Sequence, residues 1–238
     1  MNDSVTLILS YLSSANFLRA AGMTLALTVC SMLLGMLIGL IVALLQERRN
    51  RLVRALVMLY LWLFRGTPVL LQIIFIFNVL PNFGILLSGF TSGVIALALN
   101  EGAYMAEIYR SGLQSVGARQ RTAGYALGMR GWQVMRYVVL PQAMKVVIPP
   151  TGNQFMGMLK NSALVSVIAV EELLLVADQT ASANFRYLES LTAAAVYYLI
   201  MTTLFMLIQQ LIEQRFKTQR SQEAPRSWSQ RFLRMTRA

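Results

Sequence analysis

The sequence predicts an all-α integral membrane protein with five transmembrane helices, and three observations support this fold class. Hydrophobic residues make up 56% of the 238 residues and charged residues only 13%, which is more apolar surface than a soluble domain of this size buries. The apolar residues form runs of about 20 or more, the length of helix that crosses ~30 Å of hydrocarbon. The 21 Lys and Arg residues are concentrated after alternate runs.

The first predicted span is the most apolar. Residues 22–45 contain no charged side chain, so they predict one uninterrupted membrane helix. Gly35 and Gly39 within it form a Gly-x-x-x-Gly pair, a pattern that permits close packing against another helix. Residues 1–19 lack the basic start and cleavage pattern of a signal peptide, and we interpret them as a short extracytoplasmic lead-in.

Four further runs complete the predicted set of spans. They are 52–80, 91–109, 148–170 and 190–212. Of the five spans, the second, third and fourth contain charged side chains, which are rare in membrane helices and usually functional there. The acidic segment 171–190 between the last two runs predicts a solvated outer loop.

The basic residues predict the orientation. An odd number of spans places the two termini on opposite sides, and positive charge favours the cytoplasmic side, so we expect the N-terminus outside and the C-terminus in the cytoplasm. The basic residues that follow spans one, three and five are Arg48, Arg49, Arg51, Arg54, Arg110, Arg119, Arg121, Arg130, Arg136, Lys145, Arg215, Lys217, Arg220, Arg226, Arg231, Arg234 and Arg237. Since these residues segregate by membrane side and lack interleaved aromatic side chains, nucleic-acid binding is excluded. The basic tail 214–238 is either a solvated end or a segment that lies on anionic headgroups.

The longest predicted cytoplasmic loop contains the stretch QRTAGYALGMRGWQVMRYVVLP, residues 120–141. Residues 118–127 predict a helix, and Gly128 stands where a left-handed residue ends a helix. A second short helix follows, and we expect Leu140 outside the helical region because Pro141 comes next. Spacing alone leaves two interpretations open, a helix that docks on another protein and a surface hairpin.

This stretch resembles the EAA loop of the permease subunits of ABC importers. Gln120, Ala123, Gly128 and Pro141 match the pattern of that loop, with the expected spacing between them. The resemblance implies that these four residues couple the permease to its ATPase. Thr122 stands where the family usually has Glu, so a salt bridge from this position to the ATPase is not expected.

A second motif, FRGTPVLLQ at residues 64–72, is similar to the Arg-Gly-Thr-Pro signature of the polar amino acid branch of these importers. Its helix-breaking residues are Arg65, Gly66, Thr67 and Pro68. Such a break frees backbone groups that lipid cannot satisfy, so protein must satisfy them. Arg65 must face protein, headgroups or water, and a structural and a gating role both remain open.

Polar side chains in spans three and four are candidates for substrate translocation. They are Glu101, Tyr104, Glu107, Lys160, Asn161 and Ser162. A zwitterion needs groups that replace water around its ammonium and its carboxylate. The hypothesis is that Glu101 or Glu107 meets the ammonium and that Lys160, Asn161 and Ser162 meet the carboxylate. The alternatives are a Glu–Lys pair that joins the two spans, or a pair of Glu107 with Arg110.

Several functions are excluded by missing motifs. There is no phosphate-binding loop, so ATP and Mg²⁺ must be used by another subunit, and no cofactor is expected in this chain. The absence of histidine and of a nucleophile elbow argues against an enzyme and against a metal site. An ion-gradient-driven secondary transporter predicts paired broken helices in two repeats, which five spans do not provide. A scaffold subunit that transports nothing is the remaining alternative.

The resemblance extends from about residue 17 to 213 and implies a type I ABC importer permease fold. It implies a subunit of the bacterial inner membrane that moves polar L-amino acids. The partners so implied are an ABC ATPase dimer, a second permease, identical or homologous, and an extracytoplasmic binding protein. The expected organisation is a lead-in at 1–19, a permease domain at 20–213 with its coupling loop at 118–141, and the tail at 214–238.

Overall fold

The structure, a computed structural model, describes residues 2–48 and 50–216, and within these residues every regular element is a helix. The basic tail from residue 217 onward, on which two interpretations were open, lies outside the described residues, as does Arg49. The α-helices are α1 (Asn2–Leu12), α2 (Ala15–Gln46), α3 (Arg51–Gly66), α4 (Val69–Val79), α5 (Gly89–Ser115), α6 (Ala118–Ala126), α7 (Gly131–Gln133), α8 (Leu140–Asn161), α9 (Leu173–Asn184) and α10 (Tyr187–Phe216). Two 3-10 helices, Leu80–Phe83 and Ser162–Ile168, and a π-helix, Val134–Val139, complete the described elements.

The described helices correspond roughly to the five predicted spans, although α8 begins eight residues before the fourth and ends at Asn161. Helices α2 and α10 are long and apolar enough to cross a membrane, and α3 with the segment Val69–Phe83 forms a third candidate bent by 106°. Helices α5 and α8 occupy the third and fourth predicted spans, and the polar side chains that make them candidates for function also lower their hydropathy.

The most extensive helix packing in the described chain joins α2 to α5. A Cβ atom added to Gly35 would lie 2.7 Å from the Cβ of Glu101, and one added to Gly39 would lie 2.6 Å from the Cβ of Met105. Gly102 on α5 is packed equally closely against Ile38. The close approach predicted from the Gly-x-x-x-Gly pair is therefore confirmed.

The N-terminal lead-in is part of the folded domain. Helix α1 packs on α10, where the Ser4 hydroxyl donates to Glu189 Oε1 at 2.8 Å and the Tyr197 hydroxyl donates to the Leu12 carbonyl at 2.6 Å. The side chain of Ser14 accepts from the Phe17 amide and so begins α2 well before the predicted start of the span.

The prediction of a solvated loop at 171–190 was wrong. Most of this segment is α9, and Glu172 at its N-cap is fully buried. Its carboxylate accepts from the Leu174 and Leu175 amides at 2.9 and 2.7 Å and from the Tyr198 hydroxyl at 3.0 Å. A carboxylate at a helix N-terminus satisfies amides that have no partner within the helix, which is why this acidic residue lies inside.

The prediction for Leu140 was also wrong. Leu140 is helical, with φ −59° and ψ −45°, and the chain continues from the π-helix into α8 without a break. The amide of Leu140 donates to the carbonyl of Met135, five residues back. This wider turn lets the helix continue through Pro141, which has no amide to donate and whose ring needs space. The left-handed Gly128, with φ +76°, is confirmed.

Candidate functional site

The break in the second span is held by side-chain hydrogen bonds from two other segments. Helix α3 ends at Gly66, and the amide group of Gln72 donates to the Phe64 carbonyl at 3.0 Å and the Thr67 carbonyl at 3.2 Å. The side chain of Asn100 on α5 donates to the Phe64 carbonyl at 2.8 Å and to Gln72 Oε1 at 3.1 Å. The expectation that protein satisfies the freed backbone groups is confirmed.

Gln72→Leu is expected to lower the thermal stability of the protein by several degrees. Gln72 is only 8% exposed, and its loss removes the donor to the Thr67 carbonyl and the acceptor of Asn100, at about 1–3 kcal/mol for a buried polar group left without a partner. The Phe64 carbonyl keeps its bond from Asn100. The midpoint of thermal aggregation of the detergent-solubilised protein measures the effect. Asn78→Leu is the control, since that exposed amide donates only within its own helix, to Ile74. Equal midpoints for the two variants would show that Gln72 does not hold the break.

A charged cluster lies where α3 meets α5. The Arg65 guanidinium lies 3.9 Å from Glu107 Oε2 and 5.6 Å from the centre of the Tyr104 ring. Glu107 also accepts from Arg110 at 3.0 Å and from Gln46 at 3.5 Å. Arg65 therefore faces protein and solvent, as expected. Glu107 therefore pairs with Arg110, which was one of the two alternatives from sequence.

Glu101 has a different environment. Its side chain is buried in α5 against Gly35 of α2, and Oε2 accepts from Gln154 of α8 at 3.4 Å. Its other oxygen, Oε1, is buried and has no hydrogen-bond partner among the described residues. A buried carboxylate oxygen without a partner is costly, so Glu101 is the predicted site residue whose position most needs a functional reason.

The three polar residues predicted in span four lie where α8 becomes a 3-10 helix. Lys160 and Asn161 are exposed, whereas Ser162 is fully buried and donates to the Leu159 carbonyl at 2.8 Å. No ion pair within the described part of the chain joins Lys160 to Glu101 or Glu107, so the Glu–Lys alternative has no support there. The link to Glu101 is made instead by Gln154, about 9 Å along the helix axis from Lys160.

The four coupling residues predicted in the loop between α5 and α8, Gln120, Ala123, Gly128 and Pro141, are exposed. Gln120 and Ala123 lie on α6, Gly128 follows its end, and Pro141 lies in the first turn of α8. Gly124 is buried, and an added Cβ there would lie 3.0 Å from Val134 Cγ2. The guanidinium of Arg121 donates to the Leu113 carbonyl at 2.7 Å, so this residue ties α6 to the end of α5.

Sequence reasoning missed the uncharged amides of the spans. Gln46, Gln72, Asn100 and Gln154 each contact a predicted site residue or the helix break. An amide in an apolar run is itself a signal, because its donors and acceptors need protein partners in the membrane. Searching the spans mainly for charged side chains was therefore too narrow a criterion for finding polar contacts in the membrane.

Comparisons with known proteins give a consistent result. Residues 35–218 match the family described as binding-protein-dependent transport system inner membrane component. The chain is 39% identical to the arginine transport system permease protein ArgU of Corynebacterium glutamicum, over 87% of this chain and 70% of the relative. It is 35% identical to the glutamine transport system permease protein GlnP of Escherichia coli, over 84% and 92%, and 39% identical to the L-cystine transport system permease protein TcyB of Bacillus subtilis, over 81% and 82%.

Two solved structures are similar. A crystal structure of an amino acid ABC transporter with histidines has a chain 41% identical to this one, with a TM-score of 0.78 and coverage of 84% of this chain and 94% of that one. An inward-facing structure of the methionine ABC transporter MetNI has a TM-score of 0.73 over 85% and 97% of the two chains. At 18% identity, the second likeness shows the fold alone.

Proposed function

Because the chain belongs to the family of binding-protein-dependent transport system inner membrane components, we propose that it carries polar L-amino acids past Glu101 and the end of α8. It is a permease subunit of an amino acid ABC importer in the inner membrane, with the type I importer fold. That assignment is preferred over the secondary transporter and the scaffold subunit, which were the alternatives from sequence.

The observation that carries the proposed site is the unpaired oxygen of Glu101. Glu107 is already paired with Arg110 and contacted by Gln46 and Arg65, so its charge is largely compensated. Glu101 has a single contact to a neutral amide and an oxygen without a partner. Of the two acidic candidates, Glu101 is therefore the better ligand for a substrate ammonium.

The carboxylate end of the substrate is assigned to the exposed polar residues at the end of α8. Lys160 and Asn161 supply donors that are accessible from outside the single chain, which fits a pore shared with a second permease. Ser162 contributes less than predicted, because its hydroxyl already donates to Leu159. Tyr104, which is 39% exposed and whose ring lies under Arg65, belongs to the cluster around Glu107.

The remaining partners follow from the family. Importers of this kind work with a separate ATPase and a binding protein, and we assign ATP and Mg²⁺ to an ATPase dimer that contacts α6 from the cytoplasm. The second permease is either identical or homologous. The segregation of basic residues supports an N-terminus outside and a C-terminus in the cytoplasm.

Glu101→Gln is expected to raise the substrate KM for ATP-dependent uptake about tenfold or more, because a charge-assisted contact of ~1.5–3 kcal/mol is lost. Uptake of labelled amino acids into proteoliposomes that contain the complete importer measures it. The substitution keeps the volume of the side chain, and Glu171→Gln, on an exposed carboxylate, is the matched control. A KM that is unchanged in Glu101→Gln would remove this residue from the site, and uptake without ATP would contradict the proposed importer.

A further inference from the structure

An apolar cleft of 510 Å³ lies between α2, α5, α8 and α10. Its walls are mainly aliphatic, aromatic and methionine side chains, among them Met36, Leu40, Leu113, Met144, Phe155 and Phe205. None of the six residues predicted for translocation is among its lining residues in the described part of the chain. The cleft adjoins Gln154, the contact of Glu101, and shares no residue with the proposed site.

Three polar side chains line the cleft, those of Tyr109, Thr151 and Gln209, and the last two are already engaged with protein. The Thr151 hydroxyl donates to the Val147 carbonyl at 2.8 Å. The Gln209 amide donates to Glu213 Oε1 at 2.8 Å and to the Pro149 carbonyl at 3.4 Å. The Tyr109 hydroxyl alone does not replace the hydration of both the ammonium and the carboxylate of an amino acid, so the cleft fits an apolar ligand.

The dimensions of the cleft match half of a bilayer. Its wall on α2 runs from Val29 to Leu40, which is about 17 Å of helix at ~1.5 Å per residue. One leaflet contributes roughly half of the ~30 Å hydrocarbon core, or about 15 Å. A volume of 510 Å³ lies within the usual range of about 300–1,000 Å³ for sites that hold a small molecule.

Two basic residues follow lining residues of the cleft closely in the chain. Ile212 lines the cleft, and the exposed Arg215 follows it by one helical turn. Met144 also lines it, and the exposed Lys145 is the next residue. Glu213, which lies between Ile212 and Arg215, accepts from Gln209. Cations beside an apolar cleft suit an amphipathic ligand with an anionic headgroup. We propose that this cleft binds one acyl chain of an anionic phospholipid, whose phosphate lies against Arg215 and Lys145.

Native mass spectrometry of the complete importer tests the proposal. The complex is taken from nanodiscs of phosphatidylglycerol and phosphatidylethanolamine, and the lipids retained on each permease chain are identified by mass. The expected result is about one retained phosphatidylglycerol per chain, reduced about tenfold or more by Met36→Trp, because the indole displaces several methylene groups. Leu37→Trp is the matched control, since Leu37 is the next residue of α2 and does not line the cleft.

A second pair of variants tests the headgroup without filling the cleft. Arg215→Gln is expected to lower the preference for phosphatidylglycerol over phosphatidylethanolamine about fivefold, as expected for one surface cation. Arg54→Gln on α3, a helix that contributes no lining residue, is expected to leave it unchanged. Loss of lipid to the same extent in Met36→Trp and Leu37→Trp, or retention of free fatty acid in place of phospholipid, would overturn the proposal. So would disulfide-linked dimers of Leu33→Cys in a Cys30→Ala background, which would place a second copy of the chain in the cleft.

Discussion

Gly39→Val is expected to lower the accumulation of folded permease in the membrane several-fold or more. A Cβ atom at Gly39 would lie 2.6 Å from the Cβ of Met105, 2.9 Å from the amide nitrogen of Ala106 and 3.0 Å from the carbonyl oxygen of Gly102. Two of these neighbours are backbone atoms of α5, so no side-chain rotation relieves the overlap. Helix α5 must move away, and overpacking of this kind costs about 1–3 kcal/mol or more, a large share of the stability of a typical domain.

The measurement is the yield of monodisperse protein after solubilisation, followed by size-exclusion chromatography. Gly22→Val supplies a matched control on the same helix, because nothing lies within 4 Å of a Cβ at that position. The control also carries the same penalty of a β-branched residue in a helix. If both variants accumulate as the parent protein does, the contact between α2 and α5 is not required for folding.

The features that were predicted correctly depend on local chemistry. The uncharged run 22–45, the break after Gly66 and the left-handed Gly128 each follow from residue types close together in the chain. Gly35 and Gly39 also belong here, since spacing along one helix places both on the same face. Spacing does not identify the helix that packs against these glycines. In the structure it is α5, which contacts them at Glu101 and Met105.

The two wrong predictions have different origins. Pro141 was expected to exclude Leu140 from a helix, but a π-helical turn supplied by the preceding residues accommodates the proline. Glu172 was expected in solvent, but Tyr198, 26 residues further along the chain, and the first turn of α9 satisfy its carboxylate inside the protein. Only the second outcome depends on a contact that is distant in the chain, which local propensity does not contain.

The candidate site also divides into features that the sequence predicts and features that depend on helix packing. Glu101, Glu107 and Lys160 could be found from sequence, because a charge in an apolar run is conspicuous. The pair of Glu107 with Arg110 is local and was among the alternatives from sequence. The contacts of Glu101 with Gln154 and of Glu107 with Gln46 come from other helices and could not be predicted. A single sequence does not give the register between packed helices, and that register decides which carboxylate is left with an unpaired oxygen.

Gly124→Leu is expected to uncouple ATP hydrolysis from transport. Gly124 is the point at which α6 packs on the π-helix, and a Cβ there would lie 3.0 Å from Val134 Cγ2 and 3.5 Å from Met129 Sδ. A leucine does not fit, so α6 must separate from the segment Val134–Val139 that continues directly into α8. If the ATPase contacts α6 as proposed, motion of α6 then no longer reaches the span that carries Lys160 and Asn161.

The complete importer in proteoliposomes provides both measurements needed. Amino acid uptake is expected to fall roughly ten- to hundredfold, which corresponds to the ~1–3 kcal/mol of overpacking, while ATP hydrolysis continues without stimulation by loaded binding protein. Gly117→Leu is the matched control, because it adds the same side chain at the start of α6 where nothing lies within 4 Å. An unchanged ratio of uptake to hydrolysis in Gly124→Leu would mean that force reaches α8 by another contact, of which Arg121 to the Leu113 carbonyl is the next to test.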